Sequence, residues 1–214
     1  MKNYTVKFIN KDTKNFLSNV DAPLENANSL IDFSSPWDRE PIKKIEFKAL
    51  HNNKDVFFQF KVFDEDTYIH PSENKDNSIN NSDRVELFFR SDENLNPYYC
   101  LEIDTTARVM DFKAHPNKKF DFNWNWPDND IKVVSQRNEN YFTVRIAISI
   151  QSFKDLSLLK ENRIETGIYR AKYNKIENEK EYQPTWITWV DPNTDEPNFH
   201  IKSSFGVLEL DDFI

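Results

Sequence analysis

Arg84-Val85-Glu86-Leu87-Phe88-Phe89 and Tyr98-Tyr99-Cys100-Leu101-Glu102-Ile103-Asp104 are the most informative stretches of this chain. Side chains alternate across a strand, so each stretch has two faces. In the first, Val85, Leu87 and Phe89 oppose Arg84, Glu86 and Phe88. In the second, Tyr99, Leu101 and Ile103 oppose Tyr98, Cys100, Glu102 and Asp104. The connection Ser91–Pro97 is short, which predicts a hairpin. One side of that hairpin builds a core. The other gathers charged, aromatic and thiol groups, where a purely solvated face more often carries Lys, Thr and Ser. A ligand that is polar at its edges and flat on its faces suits this mixture, and a sugar fits that description.

Further strands follow the same logic. Ile45–Leu50 reads as one, and in Val56–Phe63 the set Phe58, Phe60 and Val62 alternates with Phe57, Gln59 and Lys61. Ile131–Ser135 and Tyr141–Ile150 flank the turn Arg137-Asn138-Glu139-Asn140, and Val144, Ile146, Ile148 and Ile150 form one buried face. Arg108–Lys113, Gly167–Tyr173, Trp186–Val190 and Phe205–Leu210 complete the set. Ser152–Leu159 is the one convincing helix, with Ser152 as its cap. Two long loops, Asp64–Asp83 and Ala114–Asp130, interrupt the pattern. The second holds Phe120, Phe122, Trp124 and Trp126, and at least half of these aromatics are expected to plug one end of the fold. Lys175–Glu181 reads as a solvated loop. Trp186 and Trp189 cannot share a strand face, so one packs inward. Closely spaced strands with almost no helix predict an all-β chain, an antiparallel β-sandwich of jelly-roll or immunoglobulin-like type with one short helix. No linker or repeat divides it, so residues 1–214 are read as a single domain.

Composition excludes several classes. The chain holds only two glycines, Gly167 and Gly206, whereas phosphate-cradling turns need several at fixed spacing. The net charge of −8 opposes binding to nucleic acid or anionic membranes. Cys100 is the only cysteine, so no intrachain disulfide or multi-cysteine zinc site exists; a small packed residue is the plain reading and a catalytic thiol the sharper one. The scattered His51, His70, His115 and His200 lack zinc-hydrolase spacing. Met1–Phe8 lacks the apolar stretch of a signal peptide, which points to the cytoplasm, or to an extracellular or periplasmic setting where a leader has been removed.

Asp83-Arg84-Val85-Glu86-Leu87-Phe88 is similar to the D-x-V-E-I-F strand of the family 9 carbohydrate-binding modules. The ending Trp189-Val190-Asp191-Pro192 … Phe199-His200-Ile201-Lys202-Ser203-Ser204-Phe205-Gly206-Val207-Leu208 resembles the closing series of the same family, β-sandwiches attached to bacterial xylanases. The likeness spans most of the chain. It implies sugar held between two tryptophans with acidic, amide and arginine groups nearby. Glu86 retains the acidic position. The first stacking tryptophan falls near Asn80, the second at Phe199 and the arginine near Cys100, so that clamp is not reproduced. The resemblance also implies structural calcium, for which Asp64, Glu65 and Asp66 offer oxygen ligands.

The candidate ligand-binding residues are therefore Arg84, Glu86, Tyr98, Cys100, Glu102, Phe199 and His200. Glu86 and Glu102 would accept hydroxyl hydrogen bonds, Tyr98 and Phe199 would supply ring contacts, and Arg84 and His200 would orient the acids or touch the sugar. The plain alternative is a surface ion network of Glu86 and Glu102 with Arg84 or Arg108. The expected function is non-catalytic carbohydrate binding. The alternatives are a structural or protein-interaction sandwich that has lost the sugar, and a glycoside hydrolase using two of Glu86, Glu102 and Asp104.

Overall fold

The computed structural model describes residues 1–176 and 181–213. The chain order is β1 (Asn3–Phe8), α1 (Thr13–Ser18), β2 (Ile45–His51), β3 (Asp55–Val62), α2 (Lys75–Asn80), β4 (Arg84–Arg90), β5 (Tyr98–Asp104), β6 (Val109–His115), β7 (Lys119–Asp121), β8 (Ile131–Arg137) and β9 (Phe142–Ser149). Then come α3 (Ile150–Asp155), β10 (Leu159–Lys160), β11 (Arg163–Lys175), β12 (Tyr182–Thr188), a 3₁₀ turn at Lys202–Ser204 and β13 (Gly206–Leu210). Most of the predicted solvated loop Lys175–Glu181 lies outside the described residues.

The strands form a β-sandwich. One sheet runs β7-β6-β5-β4-β11-β13-β1, with β10 and β12 also paired to β11, and the other runs β1-β2-β3-β9-β8. β1 belongs to both: its first four residues, Asn3–Val6, pair with β13 and its last two, Lys7 and Phe8, with β2. Both pairings are parallel, so the sheets are mixed and not wholly antiparallel as expected. The reason is topological: β1 enters between two later strands that run in its own direction.

The core lies between the sheets. Val85, Leu87, Phe89, Leu101 and Ile103 meet Phe58, Phe60, Val62, Val144, Ile146 and Ile148 there. These are the alternate positions picked out by periodicity. The hairpin β4–β5 is present, joined by a loop whose Ser91 and Pro97 are hydrogen bonded. Trp189 joins this core and Trp186 does not. Trp126 is buried in it and Trp124 packs on its margin, whereas Phe120 and Phe122 stay 36% and 56% exposed.

Helices number three among the described residues, where one was expected. α3 begins two residues early because Ser149, not Ser152, accepts from the backbone N–H three residues on. α1 and α2 are single-turn helices whose Asp12 and Asn74 caps accept from Asn15 and Asn77. They are too short for a hydrophobic period to mark them.

The two glycines serve close packing. Tyr169 lies over Gly167 and Trp189 over Gly206, where an added Cβ would come within 1.9 Å of the Tyr169 hydroxyl and 2.4 Å of the Trp189 ring. Each glycine lets an aromatic ring settle on the backbone of a neighbouring strand position. Tyr169 in turn supports the site described next.

Candidate functional site: an acid-floored aromatic recess

The outward face of the first sheet is built in rows set by strand register. Met110, Glu102, Glu86 and Tyr169 face one another across β6, β5, β4 and β11. The next row is Phe112, Cys100, Phe88 and Gly167. On the other side, Arg84 opposes Ala171, which opposes Trp186 on β12. The alternation read in the sequence thus places Arg84, Glu86, Tyr98, Cys100 and Glu102 on one face.

That face is partly roofed. Every residue of β4 and β5 is buried, because the segment around Phe199, His200 and Phe205 folds across it. Phe199 stacks on Tyr169, with ring centroids 4.1 Å apart and planes at 9°, and meets Trp186 edge-on at 5.6 Å. His200 lies on Phe88 at 5.1 Å. Its Nδ1 is 3.0 Å from the Tyr98 hydroxyl.

What remains open is a recess of about 480 Å³. Its floor is Arg84, Glu86, Glu102, Met110 and Phe112. Asn74, Asp76 and Asn80 of α2 and its cap border one side, and Phe120, Phe122, Trp186, Phe199 and His200 the others. A smaller hollow of about 200 Å³ adjoins it and shares Trp186, Phe199 and His200.

Arg84 Nε lies 2.9 Å from Glu86 Oε1 and 2.7 Å from Glu102 Oε2. One N–H shared between two oxygens cannot align with both. Accordingly the Nε proton and both facing oxygens lack an aligned hydrogen-bond partner. Arg84 Nη1 donates to the Asn80 carbonyl at 2.7 Å, and the guanidinium sits 5.5 Å from the Trp186 ring centre. Burial raises the Glu86 carboxyl well above the usual range, against the lowering pull of Arg84, and the Glu102 charge adds to the rise. Burial raises Glu102 as well. Two acids and one base therefore share a dry floor with one negative charge in excess when both acids ionise. Burial and nearby Lys118 lower His200 to about 3, so its ring is neutral at physiological pH.

Buried acids outside the recess hold its borders. Asp83 accepts from the backbone N–H groups of Tyr68 and Tyr173 at 2.7 and 2.6 Å, tying the loop that carries α2 to β11. Asp104 binds Arg108 at 2.6 Å, and Arg108 Nη2 donates to Ser78 Oγ in α2 at 3.0 Å. The first residue of the Asp83–Phe88 motif is thus an anchor.

Arg84, Glu86, Glu102, Phe199 and His200 all border the recess. Tyr98 and Cys100 do not: they are 1% and 0% exposed and lie under the ring layer, because Phe199 and His200 close over them. Burial also raises the Cys100 thiol, with Glu102 and Glu86 adding to the rise, which leaves it a packed, unreactive group. The ion cluster of Glu86 and Glu102 uses Arg84 and not Arg108, and it is buried, not a surface network. Sequence reading missed Phe120, Phe122 and Trp186 as recess walls, and α2 as a border. The signal for the phenylalanines was their alternate spacing beside β6, where both rings pack on Phe112 at 5.2 and 5.0 Å.

The Asp64–Asp66 segment does not fit calcium. Asp64 is fully buried against Arg170 and Lys172, with Lys43 at 3.3 Å. Three cations there already neutralise the carboxylate and would repel a fourth. Among the described residues no group of three or more His, Cys, Asp or Glu side chains is arranged to hold a metal ion.

A two-sheet sandwich carrying an aromatic-walled, carboxylate-floored recess on one outer face has the build of a carbohydrate-binding module. The family comparison agrees: the carbohydrate family 9 binding domain-like model matches residues 19–213, and the chain belongs to that family. Three solved structures share the fold. A proposed carbohydrate-binding protein from Bacteroides uniformis superposes with a TM-score of 0.72 at 15% identity, covering 98% of this chain and 99% of that one. A family 9 module from Caldicellulosiruptor kristjanssonii in complex with cellotriose gives 0.59 at 14%, covering 98% and 93%. A family 9 module from the same organism in complex with glucose gives 0.57 at 15%, covering 100% and 99%. No curated protein matches the chain.

Proposed function

We propose that this chain is a non-catalytic carbohydrate-binding domain that takes a short saccharide into the recess over β4 and β5. The observation that carries this reading is the pair of buried carboxylates on the recess floor. Glu86 Oε1 and Glu102 Oε2 share the single Arg84 Nε, at 2.9 and 2.7 Å, with neither bond aligned, and buried carboxylates short of donors are costly. Adjacent hydroxyl groups of a sugar would donate to them. Phe120, Phe122 and Trp186 offer ring faces for the sugar's C–H surfaces. The clamp is thereby displaced: rings of the β6–β7 hairpin and β12 stand in where Asn80 carries no aromatic group.

Membership of a carbohydrate-binding family supports the same reading. Hydrolysis is disfavoured by placement. Catalytic carboxyl pairs flank the scissile bond, whereas Glu86 and Glu102 rise from neighbouring strands of a single floor and share Arg84. They would meet one side of a sugar.

A glycan array, run with and without calcium, tests the reading. Saturable binding to at least one glycan is expected, independent of calcium. Phe122→Ala should weaken that binding about tenfold with only a small change in melting temperature, since the residue is 56% exposed. Silence across the array, or turnover of a chromogenic glycoside that Glu86→Gln abolishes, would refute it.

A further inference from the structure

The charge of the recess narrows the ligand class, an inference that rests on the carbohydrate reading above. Glu86 and Glu102 bring two carboxylates to the floor and Asp76 a third to the rim, against Arg84 alone. The charge of Arg84 is already committed: its Nε lies between the two buried acids and its Nη1 is bound to the Asn80 carbonyl. His200 is held neutral. Lys118 belongs to the adjoining hollow, and Lys75 lies 3.7 Å from Asp76.

A ligand carboxylate or sulfate entering this space would meet two buried acids that share one cation, with no uncommitted cation among the described lining residues. Burying an unpaired charge beside like charges is strongly unfavourable. A ligand ammonium meets the opposite situation. Glu86 and Glu102 share one Arg84 N–H between them, their side chains are 1% and 7% exposed, and a charged donor makes the stronger bond to a carboxylate. The Phe120 and Phe122 rings beside the floor add a cation-attracting wall.

We propose that the recess selects saccharides bearing a protonated amine over their neutral parents and excludes saccharides bearing a carboxylate or sulfate group. The ammonium would lie against the Glu86–Glu102 pair and supply the second cation that lets both acids ionise, which Arg84 alone does not.

The test is an NMR titration of the full chain at pH 6 in low salt, where an amino sugar is protonated. The probes are glucosamine, galactosamine and mannosamine, their neutral parents, their N-acetyl forms, and glucuronate and galacturonate. In at least one series the amine should bind about tenfold tighter than its parent. The N-acetyl form, one acetyl group larger and uncharged, should lose that gain, and the uronates should cause no saturable shift. Glu102→Gln should compress the ratio of amine to parent affinity toward one. The wild-type uronate and N-acetyl arms need no variant, so the test survives a variant that fails to fold. Amines that bind no better than their parents in every series, or not at all, overturn the inference, as does a uronate that binds as tightly as its parent. Glycans captured on the array with no preference for amines would sink this inference while leaving carbohydrate binding intact. An array without captured glycans would sink that broader reading too.

Discussion

Replacing Glu86 by Gln should stabilise the protein at neutral pH while weakening its ligand binding. Glu86 is 1% exposed and shares the single Arg84 with Glu102. Removing one acid leaves a balanced Arg84–Glu102 pair, so no orphan charge is created. Burial raises the folded-state Glu86 carboxyl above its unfolded value. A group shifted this way favours the folded state fully below the unfolded value, near 4.5, and loses that contribution as pH rises through the folded one. The wild type should therefore fall progressively behind Glu86→Gln as pH rises above about 4.5 toward the folded value of about 8. Exchange of a buried ion for a neutral isostere is worth about 1–2 kcal/mol in such a setting. For a domain of this size that is a rise of about 2–8 °C in Tm. Urea unfolding of both proteins at pH 7.5 and pH 4 measures it. The gap should be present at the first pH and nearly vanish at the second, where the acid is protonated in both states. A variant less stable than wild type at pH 7.5, or a gap that persists unchanged at pH 4, would refute the reasoning.

Arg84→Met should have the opposite effect, because it strands two buried carboxylates; a loss of about 3–5 kcal/mol, read by urea unfolding, is expected at neutral pH and should shrink in acid. Arg145 is buried on the far sheet, where it donates to Gln59 Oε1 at 2.8 Å and to the Phe16 and Ala22 carbonyls. Arg145→Met should cost about 2–4 kcal/mol, and hydrogen exchange should show lost protection centred on residues 12–24, the segment those bonds hold. Chelation of divalent ions should leave the melting temperature unchanged, since Asp64 is already held by Arg170 and Lys172; a clear fall on adding EDTA would show a metal site elsewhere. Cys100 should resist thiol reagents in the native protein and react only on denaturation, because burial raises its thiol and closes access.

The strands were legible because alternation is a local signal. Val85, Leu87 and Phe89 declared one face of β4 without reference to any other part of the chain, and they do line the core. Arg84, Glu86 and Glu102 were legible as a group for the same reason, once a short connection implied antiparallel pairing. α1 and α2 were not, since one turn of helix carries too little pattern. The parallel pairing of β1 was hidden because its partners, β2 and β13, begin about 40 and 200 residues away in the chain. Tyr98 and Cys100 were placed on the correct face but at the wrong depth. Alternation tells which way a side chain points, not what lies above it.

The amino-acid order by itself determined the β-sandwich, the inward and outward sets of each strand, and the gathering of two acids and a base on an outer face. Each of these follows from the two-residue period of a strand and the free energy of burying one face. Only the tertiary structure decided what the outer face became. Residues 199–205 return across β4 and β5 and bury Tyr98 and Cys100, while Phe120, Phe122 and Trp186 arrive from separate elements to wall the space left over Glu86 and Glu102. Those contacts join positions more than a hundred residues apart, such as Tyr98 and His200, and no local period encodes them; they exist because the folded chain brings the same outer face within reach of all of them.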